Sequence, residues 1–338
     1  MQKLRNCGAF LLFFVALGAS AQVLPDPVQY VVYPEAPGPR ETVSLEVQGV
    51  GSFLGSAEIV WRRDGTVVLQ GVGERKFSFT TGALGDQTVI SVQIDSDQGR
   101  FSKTFTFTPA KVNLVWEADT TTPPLYKGKA RYSAGSSYKV VAFPSVYVDG
   151  ARVLSSALDF QWLYRDEAVP EQSGRGRATF SRAGDQLQPG EQVAVEVYYG
   201  NKKVARGELF IPISEPQIVF YPYDPLKGVL YDRALPEGIS LLAPEITVRA
   251  EPYFFSKAAS AAGNLPFAWT LDGEDISGPD AARGLLTLRQ AGSGEGSARL
   301  GVVVQNQSPE QFVQTAEAFL QIVFGAEESS SLLDLFRI

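Results

Sequence analysis

Ile59-Val60-Trp61-Arg62-Arg63-Asp64-Gly65 is the stretch from which the fold is read, because its pattern returns twice. Phe160-Gln161-Trp162-Leu163-Tyr164-Arg165-Asp166 and Phe267-Ala268-Trp269-Thr270-Leu271-Asp272-Gly273 also place an apolar residue two before Trp and a turn-forming acid soon after it. The three anchors fall roughly 100 residues apart, the size of one all-β sandwich domain. Downstream of each Trp come alternating segments: Lys76 to Phe79, Ala178 to Ser181 and Leu286 to Leu288, then Thr88 to Ile94, Gln192 to Val197 and Leu300 to Val304. Upstream lie Val43 to Val47, Tyr138 to Phe143 and Ile246 to Ala250.

Each repeat opens on a β-branched and aromatic run, at Tyr30 to Pro34, Leu114 to Trp116 and Ile218 to Pro222. Each closes at Phe105 to Phe107, Leu209 to Ile211 or Phe319 to Phe324. A period of two buries one face of a strand and wets the other, as antiparallel strands of a two-sheet sandwich require. The 32 Gly and 21 Pro are spread along the chain, which suits many short strands joined by turns. The fold class expected is all-β, with three tandem sandwiches.

The strand-borne Trp followed by x-x-Asp-Gly resembles the immunoglobulin-like fold, and the tandem pattern is similar to the polycystic-kidney-disease type of bacterial surface repeat. The resemblance covers nearly all of the chain after the first two dozen residues. It implies that Trp61, Trp162 and Trp269 are core residues filling the space between two sheets. The chain departs from antibody-type domains in lacking a pair of cysteines on the two facing strands, and from the kidney-disease type in lacking the fuller W-x-F-G-D-G.

Lys3 and Arg5, the apolar run Ala9 to Leu17 and the small residues Ala19-Ser20-Ala21 form a signal-peptide pattern, with cleavage expected after Ala21. The expected domains are 22–110, 111–214 and 215–325, followed by a tail at 326–338. Linkers Pro109-Ala110-Lys111 and Ser214-Glu215-Pro216 are short, so neighbouring domains are expected to abut as a semi-rigid rod. Within the tail, Leu332 to Phe336 has the pattern of one amphipathic turn. The expected location is secreted, in the periplasm or at the cell surface, with no transmembrane segment after cleavage.

Cys7 and Met1 would leave with the signal, and the chain has no His. The mature protein then holds no thiol or disulfide, and its stability rests on hydrophobic cores. Of 30 basic residues Lys3 and Arg5 are removed, leaving a net charge of −9 against 37 acidic residues. Such a chain gains no counterion-release affinity, so nucleic acid is not an expected partner.

Without His or Cys, Ser-His-Asp triads, Cys-His dyads and the usual zinc sets are closed to it. No dinucleotide fingerprint or P-loop occurs, and no cofactor is expected. Carboxylate pairs such as Glu117 with Asp119, or Asp166 with Glu167, occupy strand-end turns where acids are the ordinary choice. Asp95-Ser96-Asp97-Gln98-Gly99 has the start of a calcium loop, although a tight hairpin explains it equally well and is preferred.

The second and third repeats carry loops that a sandwich does not need. Thr122-Pro123-Pro124-Leu125-Tyr126-Lys127-Gly128 and Tyr223-Asp224-Pro225-Leu226-Lys227-Gly228 share a Pro-Leu and Lys-Gly element. Expanded segments also precede the Trp strand, from Ser145 through Tyr147 to Ala157 and from Tyr253, Phe254 and Phe255 to Leu265. Two readings stay open: packing across domain junctions, or recognition of a partner through Leu125, Tyr126, Lys127, Tyr147, Leu226, Lys227, Tyr253, Phe254 and Phe255. The function expected is a non-enzymatic envelope module, structural or binding, making protein or adhesive contacts through these loops. The alternative is a carbohydrate-binding or carbohydrate-active envelope protein, so the expected partner is an envelope protein or a wall glycan.

Overall fold

The computed structural model describes residues 28–49, 53–185, 188–241, 243–292, 294–309 and 314–324. The signal segment, the cleavage site and the C-terminal tail lie outside the described residues. The chain divides into two compact units. One gathers the segments through Val32, Ser44–Ser78 and Ile90–Phe105; the other takes Tyr33–Val43, Phe79–Val89 and everything from Thr106 onward.

The first repeat has strands β1 (Val28–Tyr33), β2 (Thr42–Gly49), β3 (Glu58–Arg63), β4 (Thr66–Val72), β5 (Lys76–Thr80), β6 (Thr88–Ser96) and β7 (Gly99–Phe107). They form one sheet in the order β1-β2-β5 and a second in the order β4-β3-β6-β7. Leu45 and Val47 on β2, Ile59 and Trp61 on β3, and Val92 and Ile94 on β6 are all buried at alternate positions. The period of two therefore decides which side chains enter the core. Ser96 and Gly99 flank the two-residue hairpin turn Asp97-Gln98, and the Asp95 carboxylate is held below its usual range by hydrogen bonds from Arg100 and Gln93. The hairpin reading of this motif is the one seen.

In the second repeat, β8 (Lys111–Ala118), β9 (Ser137–Ser145) and β11 (Thr179–Ala183) make one sheet, while β10 (Asp159–Tyr164), β12 (Gly190–Tyr199) and β13 (Lys202–Pro212) make the other. Val140, Phe160, Trp162, Phe180, Val195 and Ile211 join in one buried core drawn from both sheets. Gly207 on β13 allows β8 to come close, since a Cβ there would lie 2.8 Å from Val112 Cγ1.

The third repeat pairs β14 (Gln217–Asp224), β16 (Glu245–Tyr253) and β19 (Leu285–Arg289) in one sheet. The facing sheet runs β15 (Gly238–Leu241), β21 (Thr315–Phe324), β20 (Gly296–Gln305), β17 (Phe267–Leu271), β18 (Glu274–Ile276). Here β15 lies parallel to β21. A short helix, α1 (Lys257–Ala261), is capped by the Ser256 side chain.

The three tryptophans repeat one geometry. Each is at most 1% exposed, and each indole N–H donates to a backbone carbonyl 12 to 15 residues on: Glu74 at 2.9 Å, Arg177 at 2.9 Å and Ala281 at 3.0 Å. Their rings meet Phe77, Phe180 and Phe220, with centroids 5.5, 5.5 and 6.1 Å apart, each partner belonging to the opposite sheet. The acidic turns that follow also match. Asp64-Gly65 and Asp272-Gly273 both have positive φ, while the second repeat forces Arg165 and Asp166 into the same region without glycine.

Candidate functional site

Beyond β8 the chain does not leave as a free loop. Thr121 N–H donates to Phe255 O and Phe254 N–H to Thr121 O, both at 2.8 Å, and Lys257 N–H donates to Asp119 O at 3.1 Å. Thr120 faces Ser256 as an isolated antiparallel bridge. The Thr121 hydroxyl donates to Pro252 O at 2.9 Å and accepts from Phe255 N–H at 3.2 Å. A short seam of β-like pairing thus joins the second domain's first loop to the end of β16.

Apolar packing reinforces the seam. Tyr253, Phe254 and Phe255, read from sequence as loop aromatics available to a partner, are 4%, 4% and 0% exposed. That expectation is corrected by packing: in this arrangement they offer almost no surface. Phe255 sits among Ala259, Leu265, Val304 and Ala316. Tyr253 and Phe254 cluster with Tyr221, and Tyr126 from the second domain packs edge-on against Phe254, with ring centroids 6.1 Å apart. Phe254 is held at φ 63°, a costly conformation for an aromatic residue, which the Thr121 bond and the Tyr126 and Arg131 contacts sustain.

A polar network closes the same junction. Gln314, 1% exposed, places Nε2 3.0 Å from Ser133 Oγ, 3.0 Å from Ala134 O and 2.7 Å from Ser136 Oγ. Its Oε1 accepts from Ser256 N–H at 3.1 Å and from Asn306 Nδ2 at 2.9 Å. The segment it grips is itself pinned from below, since the Tyr132 hydroxyl donates to buried Glu191 at 2.6 Å.

Burial first, then the Glu191 carboxylate, push the Tyr132 and Tyr138 phenols far above their ordinary value. Burial and the neighbouring Tyr221 do the same to Tyr253. Tyr164 and Tyr231 are pushed up to about 12, by burial and then by Glu191 and Glu251 respectively. An unperturbed tyrosine ionises at about pH 10, so the unfolded chain releases these protons first as pH rises. Stability is fully present below pH 10 and falls as pH climbs toward the raised folded values. Far-UV circular dichroism followed with tyrosinate absorbance should show cooperative unfolding above about pH 10, with phenol ionisation lagging until the fold is lost. Gradual ionisation with the fold intact would contradict this.

The remaining loop residues are placed differently. Leu125 is 97% exposed at φ 60°, and Leu226 is also 97% exposed. Lys127 and Lys227 are exposed and Tyr126 and Tyr147 half-buried. The Asp224 carboxylate accepts from the N–H groups of Leu226 and Lys227 at 2.8 and 2.9 Å, which holds it below its usual range. Tyr147 belongs to a two-residue ribbon with Arg152 and lies against Gly85 within the larger compact unit. The carboxylates weighed as paired acids are solvated: Asp119 faces Lys257 at 3.6 Å, and Asp166 faces Arg206 at 3.3 Å.

A cleft of about 510 Å³ opens beside the seam. The second domain contributes Thr121, Thr122 and Pro124; the third contributes the outward face of β16 with Arg249 and Glu251, together with Tyr231 and Phe267. Arg249 Nε lies 3.0 Å from Glu251 Oε1, which also accepts from the Tyr231 hydroxyl at 2.9 Å. Nothing in the alternation of β16 marks this cleft, because its second wall comes from another domain.

Fold and junction together define a tandem array of immunoglobulin-like β-sandwich domains. No protein-family model and no curated protein matches the chain. The chain is similar to several solved structures. One is the central fibronectin-III array of RIM-binding protein, at 10% identity and TM-score 0.29, covering 89% of this chain and 98% of that one. Another is the three N-terminal domains of the highly immunogenic outer capsid protein of bacteriophage RB49, at 12% identity and TM-score 0.26, covering 89% and 98%. A titin I-band fragment matches at 11% identity and TM-score 0.20, covering 89% and 99%.

Proposed function

We propose that the protein is a secreted, non-enzymatic binding module of the cell envelope, with sandwiches at 22–110, 111–214 and 215–325. In this reading the second and third domains act as one body, and a protein partner is engaged through the loops at 122–128 and 223–228. The observation that carries it is the pair Leu125 and Leu226, each 97% exposed at matching positions of two loops that the sandwich scaffold does not need. Burying a leucine contributes about 1.5–3 kcal/mol, so two such tips are natural anchors for an apolar pocket on a partner. The strained backbone at Leu125 supports the same reading, since strain of this kind tends to gather at contact sites. No helix among the described residues is long and apolar enough to cross a membrane.

The test is a photo-cross-linker placed at position 125 or 226 in intact producing cells, followed by mass spectrometry of the adducts. The same envelope protein should be captured from both positions. The double variant Leu125→Ser, Leu226→Ser should weaken that partner's binding by about tenfold or more, with an unchanged melting temperature because neither side chain is packed. Capture of unrelated proteins, or undiminished binding by the variant, would defeat the proposal.

A further inference from the structure

The cleft beside the interdomain seam has the chemistry of a small-ligand site, and we infer that it takes a neutral, hydroxyl-rich saccharide. Its volume of about 510 Å³ falls within the range of sites that enclose small molecules, which form preferentially between domains. Charge argues for a neutral ligand. Arg249 and Glu251 are paired at 3.0 Å with side chains only 25% and 15% exposed, and an ionic ligand would have to strip one of them of its partner.

The aromatic element is held ready. Tyr231 is 42% exposed, yet its ring packs edge-on against Tyr221 at 5.2 Å and its hydroxyl is tied to Glu251 at 2.9 Å. A ring anchored at both ends loses little freedom when a flat apolar face is laid on it. Around it the lining combines apolar and hydroxyl groups: Leu265 and Pro266 supply the first, and Thr122 and Ser260 the second. A sugar ring offers the same combination, an apolar C–H face with a rim of hydroxyls. A proline-rich peptide would ask for a row of exposed aromatic ridges, whereas Tyr253 and Phe267 in this lining are buried or half-buried. Thr122 and Pro124 of its lining belong to the loop at 122–128, but Tyr231, Arg249 and Glu251 lie outside both leucine loops, so a change at Tyr231 is read apart from one at Leu125 or Leu226.

The test titrates the full mature chain by calorimetry with tetrasaccharides of β-1,4-linked glucose, α-1,4-linked glucose and β-1,4-linked N-acetylglucosamine, and with a proline-rich decapeptide. At least one tetrasaccharide should bind saturably with a Kd on the order of 1 mM or tighter. Tyr231→Ala should weaken it about tenfold or more, while Tyr231→Phe, which keeps the ring, stays within about threefold of the parent. Both variants should leave cross-linking at positions 125 and 226 unchanged. Absence of saccharide binding, binding insensitive to Tyr231→Ala, or Tyr231-dependent binding of the decapeptide instead would each overturn the inference.

Discussion

Trp162→Ala is expected to lower the stability of the second sandwich by about 3–5 kcal/mol, a large share of what one domain possesses. The indole is 0% exposed and meets the Phe180 ring at 5.5 Å, bridging the two sheets where no disulfide does so. Its N–H satisfies the Arg177 carbonyl at 2.9 Å, and truncation leaves that acceptor to find water or go without. Collapse around the hole is limited, because the neighbours Phe160, Val140 and Val195 are fixed by strand pairing on both sheets. Urea unfolding followed through the remaining tryptophans should show an early transition for this domain. A loss below about 1 kcal/mol would show that the indole is not the centre of the core.

Gln314→Leu should destabilise the chain by about 2–4 kcal/mol and separate the melting of the second and third domains. The leucine fills similar space but satisfies none of the groups that the amide serves. Asn306 Nδ2 and the Ser256 N–H lose an acceptor, and Ser133, Ser136 and the Ala134 carbonyl lose a donor. Several of these groups are buried, and each buried unsatisfied group costs about 1–3 kcal/mol. Those groups lie on two domains, so the loss falls on their coupling as well as on either one. Differential scanning calorimetry should show one transition for this pair of domains in the parent and two in the variant. A single unshifted transition would mean that the seam and the Tyr126 contact hold the junction without the glutamine.

The core was legible because burial in a strand has a period of two, and the three Trp strands announce it in register. Val43 to Val47, Tyr138 to Phe143 and Ile246 to Ala250 fall inside β2, β9 and β16, and the buried residues are those that alternation selects. The junction was legible only in part. The long loops stand out as unneeded by a sandwich, yet Tyr253, Phe254 and Phe255 look the same in sequence whether they face a partner or a neighbouring domain. Their burial depends on Thr121, more than 130 residues earlier in the chain, through hydrogen bonds that leave no local periodicity. Gln314 is still harder to find, since a single glutamine beside a strand usually signals solvent.

The sequence by itself determined the sandwich class, the strand positions, the three buried tryptophans and the absence of histidine. These follow from residue type and from spacings within one strand or one repeat. Only the tertiary structure decided which loop aromatics are buried, which leucines remain exposed, and that Arg249, Glu251 and Tyr231 share a cleft with Thr122. Those outcomes rest on contacts between segments far apart in the chain. Their free energy depends on how two domains meet, which no local pattern encodes.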